Sequence, residues 1–402
     1  MKKLIILSSS FFASFSVHAV SYQEYIALVY ENAISVKIAK HSVEAEKSRM
    51  SAREYYYMPT FTASTLNKTE HTTKDVNTNT QELNLNVNSQ IYASDVKHKI
   101  DEYSYKVDDA LNTVQLEREK LNAVVLKNLI SIHYYQGLKE IALDLQKQAE
   151  KIVHKIKVQR ANGTASENDV NRATLLVSRI ENEINLVDKQ IRLSESNIEA
   201  ATGQIYPEDG IQLDSEFLGN INRFNANEDL LYQNLTYKGL ELKRKSAKSL
   251  ALQQDPFFSL NASGVQALTY ADDLQDESNI TLTASVNVFD YAKKQEKKAQ
   301  FQGVEAARLK MELKYFELKN NDQTYKLLEK SFLSELDNLQ VQIVKNQELV
   351  SGSQSEYAAG KVSLYEMLNT RFDLFSIFKQ RADVKIEFSM NKIDMMINSG
   401  QL

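Results

Sequence analysis

The segment YAAGKVSLYEMLN, residues 357–369, interrupts a stretch of sequence that otherwise predicts continuous helix. No proline follows Pro256 in this chain of 402 residues, and a proline inside a helix costs about 3 kcal/mol. Glycine accepts the positive φ that ends many helices, and serine is a preferred N-cap residue. We therefore predict that one long helix ends at Gly360 and that a second helix begins after Ser363 and returns antiparallel to the first.

The same turn is present a second time, earlier in the chain. The stretch GTASENDV begins at Gly163 and places Ser166 three residues later, so that both lie 197 residues before their counterparts. The same offset separates Pro59 from Pro256, Ile91-Tyr92 from Val288-Phe289, and Gly203-Gln204 from Gly400-Gln401. Because four landmarks share one offset, the sequence predicts a tandem duplication in which both halves have the same order of elements.

The duplication divides the chain into two structural repeats. We expect the first over 20–202 and the second over 227–402, with an irregular linker or equatorial segment over 203–226. Each repeat is expected to hold a helix, a pair of strands, a very long helix, the glycine turn and a return helix. The opening helices are expected over 21–57 and 227–254, and the strand pairs over 59–92 and 256–289.

The second strand of each predicted pair alternates apolar and polar residues. In ELNLNVNSQIY the polar positions are mainly asparagine, and NITLTASVNVF repeats the pattern with threonine, serine and asparagine. The apolar positions are Leu83, Leu85, Val87 and Ile91 in the first run, and Ile280, Leu282, Ala284, Val286 and Val288 in the second. Strands of about ten residues with one apolar and one uncharged polar face are typical of transmembrane β-barrels. Amphipathic strands on an ordinary core are the alternative.

Aromatic residues gather where the predicted strands meet the predicted helices. They are Tyr55, Tyr56, Tyr57, Phe61, Tyr92, Phe257, Phe258, Phe289 and Tyr291. Such a group is typical of the girdle at a membrane interface, although aromatic packing at a domain junction gives the same pattern. The opposite strand ends carry polar loops, NKTEHTTKDVNTNT at 67–80 and YADDLQDESN at 270–279, which favour an outer surface.

The long helices have the pattern of coiled coils. From Asp95 to Ala161 there is no proline and a single glycine, which predicts a helix of about 65 residues and roughly 100 Å. Apolar residues recur at coiled-coil intervals, as in Leu328, Phe332, Leu336, Leu339 and Ile343, and in Ile180, Ile184, Val187, Ile191 and Ile198. The helices are therefore expected to pack sideways on partners and to face water elsewhere.

The N-terminal sequence MKKLIILSSSFFASFSVHA predicts a secretory signal peptide over 1–19, with cleavage after Ala19. Its apolar run is shorter than the roughly 20 residues of a transmembrane helix, and no later stretch has that character. The formal net charge of −5 becomes −7 without Lys2 and Lys3, which argues against a nucleic-acid partner. The chain has no cysteine, which excludes disulfides and thiol nucleophiles.

Four strands per chain are too few to close a barrel, because about eight is the smallest number that does. A lipid bilayer tolerates no open sheet edge, so chains with membrane strands must associate. If the helices continue the barrel wall, the assembly is a tube standing on the outer membrane, with the glycine turns at its far mouth.

This combination resembles the outer membrane efflux proteins typified by TolC. The resemblance covers the mature chain and rests on the duplication, the strand pairs and the segments GTASENDVNRATLLV and GKVSLYEMLNTRFDL. It implies a mainly α fold with a small β part: a homotrimer whose long antiparallel helices form a periplasmic α-barrel, continued by a twelve-stranded outer membrane β-barrel. It also implies an exit duct for tripartite efflux or type I secretion, joined to an inner-membrane pump through a periplasmic adaptor protein.

The resemblance also implies a gate at the far tip. Asp169 and Tyr357 match residues that clasp the helix pairs together, and Glu366 and Asn369 match two successive acidic rings at the entrance. The chain departs from the family pattern at Asn369, which is not acidic, and at Val362, which stands where the family has an arginine. The tip residues expected to dock the adaptor are Gly163, Ser166, Gly360, Lys361 and Ser363.

The chemistry of Glu366 supports a role at the entrance. Three carboxylates brought around one axis in a narrow mouth repel one another and attract cations. A solvated glutamate on a helix face is the alternative, since the sequence does not give the direction of the side chain.

The sequence carries no signature of an enzyme, and it predicts no metal or cofactor site. Beyond the predicted signal peptide the histidines stand alone, at His41, His71, His98, His133 and His154, and neither a phosphate-binding loop nor a nucleophile elbow is present. The alternative to an export channel is an exported coiled-coil scaffold or structural envelope protein, in which the alternating strands form a small sheet for assembly.

Overall fold

The computed structural model describes residues 20–71, 77–253, 258–270, 277–287 and 289–402. The predicted signal peptide, Pro256, Phe257 and Val288 lie outside the described residues. The elements in chain order are β1 (Val20–Ser21), α1 (Tyr22–Asn32), α2 (Ile34–Glu54), β2 (Thr60–His71), β3 (Asn77–Ala93), α3 (Val96–Ala161), α4 (Glu167–Thr202), β4 (Ile211–Gln212), α5 (Ser215–Arg223), a 3-10 helix (Glu228–Gln233), α6 (Leu235–Gln253), β5 (Phe258–Tyr270), β6 (Glu277–Val286), α7 (Tyr291–Ala358) and α8 (Leu364–Asn398). The fold is mainly α with a small β part, as predicted.

Two helical hairpins make up most of the chain. The helices α3 and α4, of 66 and 36 residues, form the first hairpin, and α7 and α8, of 68 and 35 residues, form the second. The heptad positions Ile180, Val187 and Ile198 are buried on α4, and Leu339 and Ile343 are buried on α7. The prediction of two very long helices that each fold back at a glycine is therefore confirmed.

The four longer strands form one antiparallel sheet in the order β2-β3-β5-β6. Phe61 pairs with Val87, and Ala63 pairs with Leu85, so their side chains share one face. The same face continues across the sheet through the pairs Leu83–Leu268, Val87–Gly264, Gly264–Ile280 and Ala262–Leu282. Gln266 and Ser278 lie on the same face beside Leu85, so the sheet has one mainly apolar face, as the alternating sequence predicts.

The strict alternation predicted for β3 is interrupted at Ile91. The register between β3 and β5 shifts between Gln90 and Tyr92, so that Ile91 is the extra residue of a β-bulge. Tyr92 pairs with Leu260 and takes the place on the apolar face that strict alternation assigns to Ile91. Its ring lies 5.9 Å from that of Phe258, which confirms an aromatic contact where the strands approach the helices.

The strands are longer than the alternating sequence indicates. The strand β2 continues to His71 and β3 begins at Asn77, so that β3 has 17 residues rather than about ten. Much of the predicted loop at 67–80 is therefore paired, with Asn67 opposite Gln81. The ladder extends because backbone hydrogen bonds do not require apolar side chains, and threonine, frequent here, favours extended backbone.

Two further predictions require correction. The first opening helix is divided at Ala33 into α1 and α2, and the second begins as the 3-10 helix Glu228–Gln233 before α6. The predicted linker over 203–226 is not irregular throughout, because it contains α5, and β4 pairs in parallel with β1. Leu218 and Ile221 of α5 are buried in the main core.

The main core lies where α1, α3, α4, α5 and α8 meet, and it includes Tyr25, Val125, Ile130, Ile198 and Ile393. A second, smaller core lies near the glycine turns and brings the two hairpins together. Among the described residues, no helix combines the length and the apolar character needed to span a bilayer.

Candidate gate and membrane-facing surfaces

The two glycine turns have the same hydrogen-bonded geometry. Gly163 has φ +76° and donates its backbone N–H to the carbonyl of Arg160, while the N–H of Thr164 reaches Gln159. Gly360, with φ +73°, repeats this arrangement by donating to Tyr357. This pair of bonds is the Schellman motif, which requires a left-handed residue and satisfies the last carbonyls of the helix. Both turns are therefore built for a helix that stops and reverses.

Serine N-caps start both return helices, as the sequence predicts. The hydroxyl of Ser166 accepts from the N–H of Asp169 at 3.2 Å, and the hydroxyl of Ser363 accepts from the N–H of Glu366 at 3.2 Å. At the first turn the Asp169 carboxylate also accepts from the backbone and hydroxyl of Ser166, at 3.0 and 2.7 Å. This reciprocal capping box fixes the Asp169 side chain, and its hydrogen bonds from Ser166 lower the pKa of that carboxyl.

Asp169 on the first hairpin lies near enough to Tyr357 on the second to influence its pKa. Burial raises the pKa of the Tyr357 hydroxyl, and the nearby negative charge of Asp169 raises it further. Tyr357 also packs against the smaller core, which we call the tip core. Between these two described residues no hydrogen bond joins the side chains, since the Asp169 carboxylate is held by Ser166 within its own hairpin.

The tip core holds the hairpins together with apolar side chains. Its buried members are Ala149, Ile156, Val170, Ala173, Leu176, Ile180, Leu364, Met367 and Leu368. The first six belong to α3 and α4, and the last three belong to the first turns of α8. The tip core lies next to both glycine turns. If one hairpin moves away from the other at the tip, the apolar side chains of α8 separate from those of α3 and α4.

The predicted entrance residues occupy the first turns of α8. Glu366 is exposed, and within the described part of the chain its carboxylate forms no ion pair. Asn369 is half-buried, and Lys361 is exposed at the turn itself. The side chain of Glu366 is therefore free to meet cations or copies of itself in an assembly.

One residue of this region was missed by the sequence analysis. Arg371 on α8 donates to the amide oxygen of Gln148 on α3 at 2.5 Å and to that of Gln354 on α7 at 2.8 Å. A cation among apolar neighbours, one turn after Met367 and beside Phe372, is the signal that could have identified it.

Away from the glycine turns, the four-stranded sheet exposes its apolar face. Ile280 is 92% exposed, Leu282 65% and Phe61 75%. The opposite face is mainly polar and uncharged, with Thr60, Thr62, Ser64, Asn84, Asn86, Asn88, Asn261, Ser263, Thr281 and Thr283. It also carries Leu66, Val265 and Ala267, and the carboxylates Glu82 and Glu277 toward the loop ends of the strands. The outer strands β2 and β6 each have one unpaired edge.

The helix α7 also exposes a long apolar surface. Only Leu318, Asp322, Leu339, Ile343 and Ser353 are buried along its described length. Large apolar residues on the uncovered side are Phe301, Leu309, Leu313, Phe316, Leu327, Val341, Val344 and Leu349. Extended exposed apolar surfaces mark contacts with another protein chain, a membrane or a ligand.

Solved structures of bacterial outer membrane channels have the same fold. CusC, described as undergoing conformational changes during folding and transmembrane channel formation, is 13% identical with a TM-score of 0.77, covering 96% of this chain and 95% of that chain. The Campylobacter jejuni CmeC outer membrane channel is 12% identical with a TM-score of 0.76, covering 94% and 85%. The Vibrio cholerae outer membrane protein VceC is 11% identical with a TM-score of 0.75, covering 94% and 95%.

No protein-family model matches the sequence, and the comparison with curated proteins finds no significant match. The likeness is therefore one of fold, and it extends over nearly the whole chain. This chain has the fold of the outer membrane efflux channels that the sequence resembles.

Proposed function

We propose that this protein is an outer membrane exit duct that passively conducts substrates from the periplasm to the exterior. The observation that carries the proposal is the four-stranded sheet with one mainly apolar exposed face, one polar face that is uncharged over most of its length, and two open edges. In water such a sheet would aggregate, whereas in a bilayer its apolar face meets lipid. The fold shared with outer membrane channels supports the same conclusion.

The open edges and the α7 surface favour association of identical chains. If β6 of one copy pairs with β2 of the next, three copies close a barrel of twelve strands and leave no free edge in lipid. The exposed apolar residues of α7 then lie against the neighbouring copy, so that the helices continue the wall below the membrane. The protein would thus reside in the outer membrane with a long periplasmic extension.

In this arrangement the uncharged polar face of the sheet lines the lumen. Asn84, Asn86, Asn88 and their threonine and serine neighbours offer hydrogen bonds without a net charge. This section of the duct would therefore conduct solutes of either sign. Selection of solutes by their charge would then occur in the helical section and at its entrance.

The glycine turns form the periplasmic entrance in this proposal. Asp169 and Tyr357 would hold the hairpins in the closed state, and Glu366 with Asn369 would narrow the opening. The absence of a second carboxylate at Asn369 makes the entrance less negative than the family pattern. A docked partner would open the gate by favouring separated hairpins.

A duct of this kind requires partners that supply energy. The exposed turn residues Gly163, Ser166, Gly360, Lys361 and Ser363 are the proposed docking surface for a periplasmic adaptor, which joins the duct to an inner-membrane pump. No catalytic role is proposed for the chain itself. Its cargo, whether small molecules, polypeptides or metal ions, would be selected mainly by the pump.

The native mass of the mature protein extracted from outer membranes in detergent tests this proposal. We expect three copies of the chain and a conductance when the trimer is inserted into a planar bilayer. A water-soluble monomer recovered without detergent would contradict the duct and support an exported coiled-coil scaffold. Native mass spectrometry of the same preparation gives the copy number directly.

A further inference from the structure

Arg371 links three helices near the periplasmic tip. Its side chain lies on α8, one Nη atom donates to Gln148 of α3 at 2.5 Å, and the other donates to Gln354 of α7 at 2.8 Å. Gln354 belongs to the same hairpin as Arg371, and Gln148 belongs to the other hairpin. The bond to Gln354 therefore orients the guanidinium, and the bond to Gln148 crosses between the hairpins.

This bond is the last of a series along the contact between the hairpins. Three other polar contacts join α8 to the first hairpin on the side away from the tip: Asp394 with Lys127 at 2.6 Å, Asp383 with Tyr135 at 3.0 Å, and Lys379 with Glu183 at 2.7 Å. Between the described residues, no hydrogen bond joins the hairpins closer to the glycine turns than Arg371 with Gln148. Beyond it lie the apolar tip core and the ring of Tyr365 beneath Arg172.

The Arg371 contact differs from the two ion pairs of this series in having no opposite charge. Both of its acceptors are neutral amides, and its Nε atom is buried without a hydrogen-bond partner. Burial lowers the pKa of the guanidinium, as expected for a cation removed from water without a carboxylate. A contact that leaves a donor unsatisfied is easier to break than a complete ion pair, because water can satisfy the donor once the site opens.

We infer that Arg371 is a latch that holds the entrance closed through Gln148, in addition to the clasp proposed at Asp169 and Tyr357. The inference rests on the proposed function as a gated duct. Separation of the hairpins would break the bond to Gln148 while the bond to Gln354 remains.

Single-channel recordings of three variants test the latch. Arg371→Gln and Gln148→Ala each remove the bond across the hairpins, and we expect each to raise the ratio of open to closed channels by roughly tenfold. Gln148→Glu supplies the missing carboxylate, so it should lower that ratio below the wild-type value. Arg371→Gln and Gln148→Glu change the charge by the same amount, one unit toward negative, yet the latch predicts opposite effects.

A purely electrostatic effect on the lumen would shift the open fraction in the same direction for both variants, and this outcome would overturn the latch. Arg160→Gln is the matched control, because Arg160 pairs with Glu167 within the first hairpin and does not cross to the second. Gln148→Ala retains the arginine and decides the question if Arg371→Gln does not assemble. If the wild-type trimer conducts and all three variants keep the wild-type ratio of open to closed channels, the latch alone is contradicted. If the wild-type chain forms no channel, the proposed function is contradicted.

Discussion

The ammonium of Lys392 on α8 lies 2.6 Å from the carboxylate of Glu329 on α7, with the lysine side chain only 2% exposed. The same ammonium donates to the carbonyl of Phe224, where α5 ends, at 2.7 Å. This buried lysine on α8 thus connects the end of α5 to both helices of the second hairpin. Glu329→Gln would leave a buried cation without its counter-charge. We expect it to lower the free energy of unfolding by about 3 to 5 kcal/mol.

Thermal unfolding of the detergent-solubilised protein measures this loss as a lower midpoint. Glu305→Gln is the control, because Glu305 is exposed on the same helix and pairs only with Arg308 three residues away. We expect the control to leave the unfolding midpoint nearly unchanged, because both partners of that pair are exposed to solvent. Equal midpoints for the two variants would show that the Lys392 pair contributes no more than a surface contact.

The duplicated glycines permit a second comparison. Gly163 and Gly400 both have positive φ, +76° and +64°, but only Gly400 is crowded. A methyl group at Gly163 meets nothing within 4 Å, whereas at Gly400 it would overlap the backbone carbonyl of Gln233. Gly163→Ala should cost about 1 to 2 kcal/mol through backbone strain alone, and Gly400→Ala should cost clearly more. Unfolding midpoints that rank the two variants in the reverse order would contradict this assignment.

The buried carboxyl group of Glu119 should make the stability of the protein depend on pH. Its side chain is buried on α3, and burial raises its pKa to about 7, against the opposing charge of Lys238 on α6. In the unfolded chain the pKa of a glutamate is about 4.3. The folded protein therefore retains a proton that the unfolded chain releases, so the stabilisation is complete below about pH 4 and is lost as the pH rises through 7. The difference between the two pKa values corresponds to roughly 4 kcal/mol.

Glu119→Gln should remove this dependence, because the amide is neutral at every pH. We expect the variant to unfold at a higher temperature than the wild type at pH 8, and the difference to shrink toward pH 5. Glu140→Gln, at an exposed position of the same helix, serves as the control and should leave the pH profile unchanged. A wild-type profile that is flat between pH 5 and 8 would contradict the raised pKa.

The features that the sequence predicted correctly depend on local chemistry. Gly163 and Gly360 require positive φ, and Ser166 and Ser363 cap the helices that follow, so four residues at fixed spacing predict both hairpins. The alternation in β3 likewise depends on neighbours in the chain and predicts the two faces of the sheet. These signals are short-range and are read without knowing the fold.

The features that were missed depend on tertiary contacts. Helix α5 contains Gly219, which disfavours helix by about 1 kcal/mol, yet burial of Leu218 and Ile221 against the main core outweighs that cost. The bulge at Ile91 follows from pairing with β5, which lies far away in the chain. Arg371 was overlooked because its acceptor Gln148 is 223 residues away. No periodicity in the sequence reports such contacts.

A lysine at Leu85 should separate a membrane duct from a water-soluble scaffold. Leu85 lies on the apolar face of β3, and Asn86, the next residue, lies on the polar face. At the bilayer midplane Leu85→Lys should cost roughly 2 to 4 kcal/mol, whereas Asn86→Lys should be tolerated in an aqueous lumen. The measurement is the amount of each variant recovered as trimer from outer membranes. Equal recovery of the two variants would contradict a lipid-facing position for Leu85.

Block by multivalent cations tests the entrance. Glu366 is exposed and unpaired within the described residues, and three copies around one axis would form a ring of carboxylates. Glu366→Ala should weaken block by a trivalent cation added on the periplasmic side by roughly tenfold, and Asn369→Asp should strengthen it by supplying a second ring. Glu167→Ala is the control. Glu167 lies in the first hairpin, not on α8, and forms an ion pair with Arg160 of the same hairpin at 2.5 Å. Block that is unchanged in Glu366→Ala, or weakened equally in Glu167→Ala, would place the cation site away from the α8 entrance.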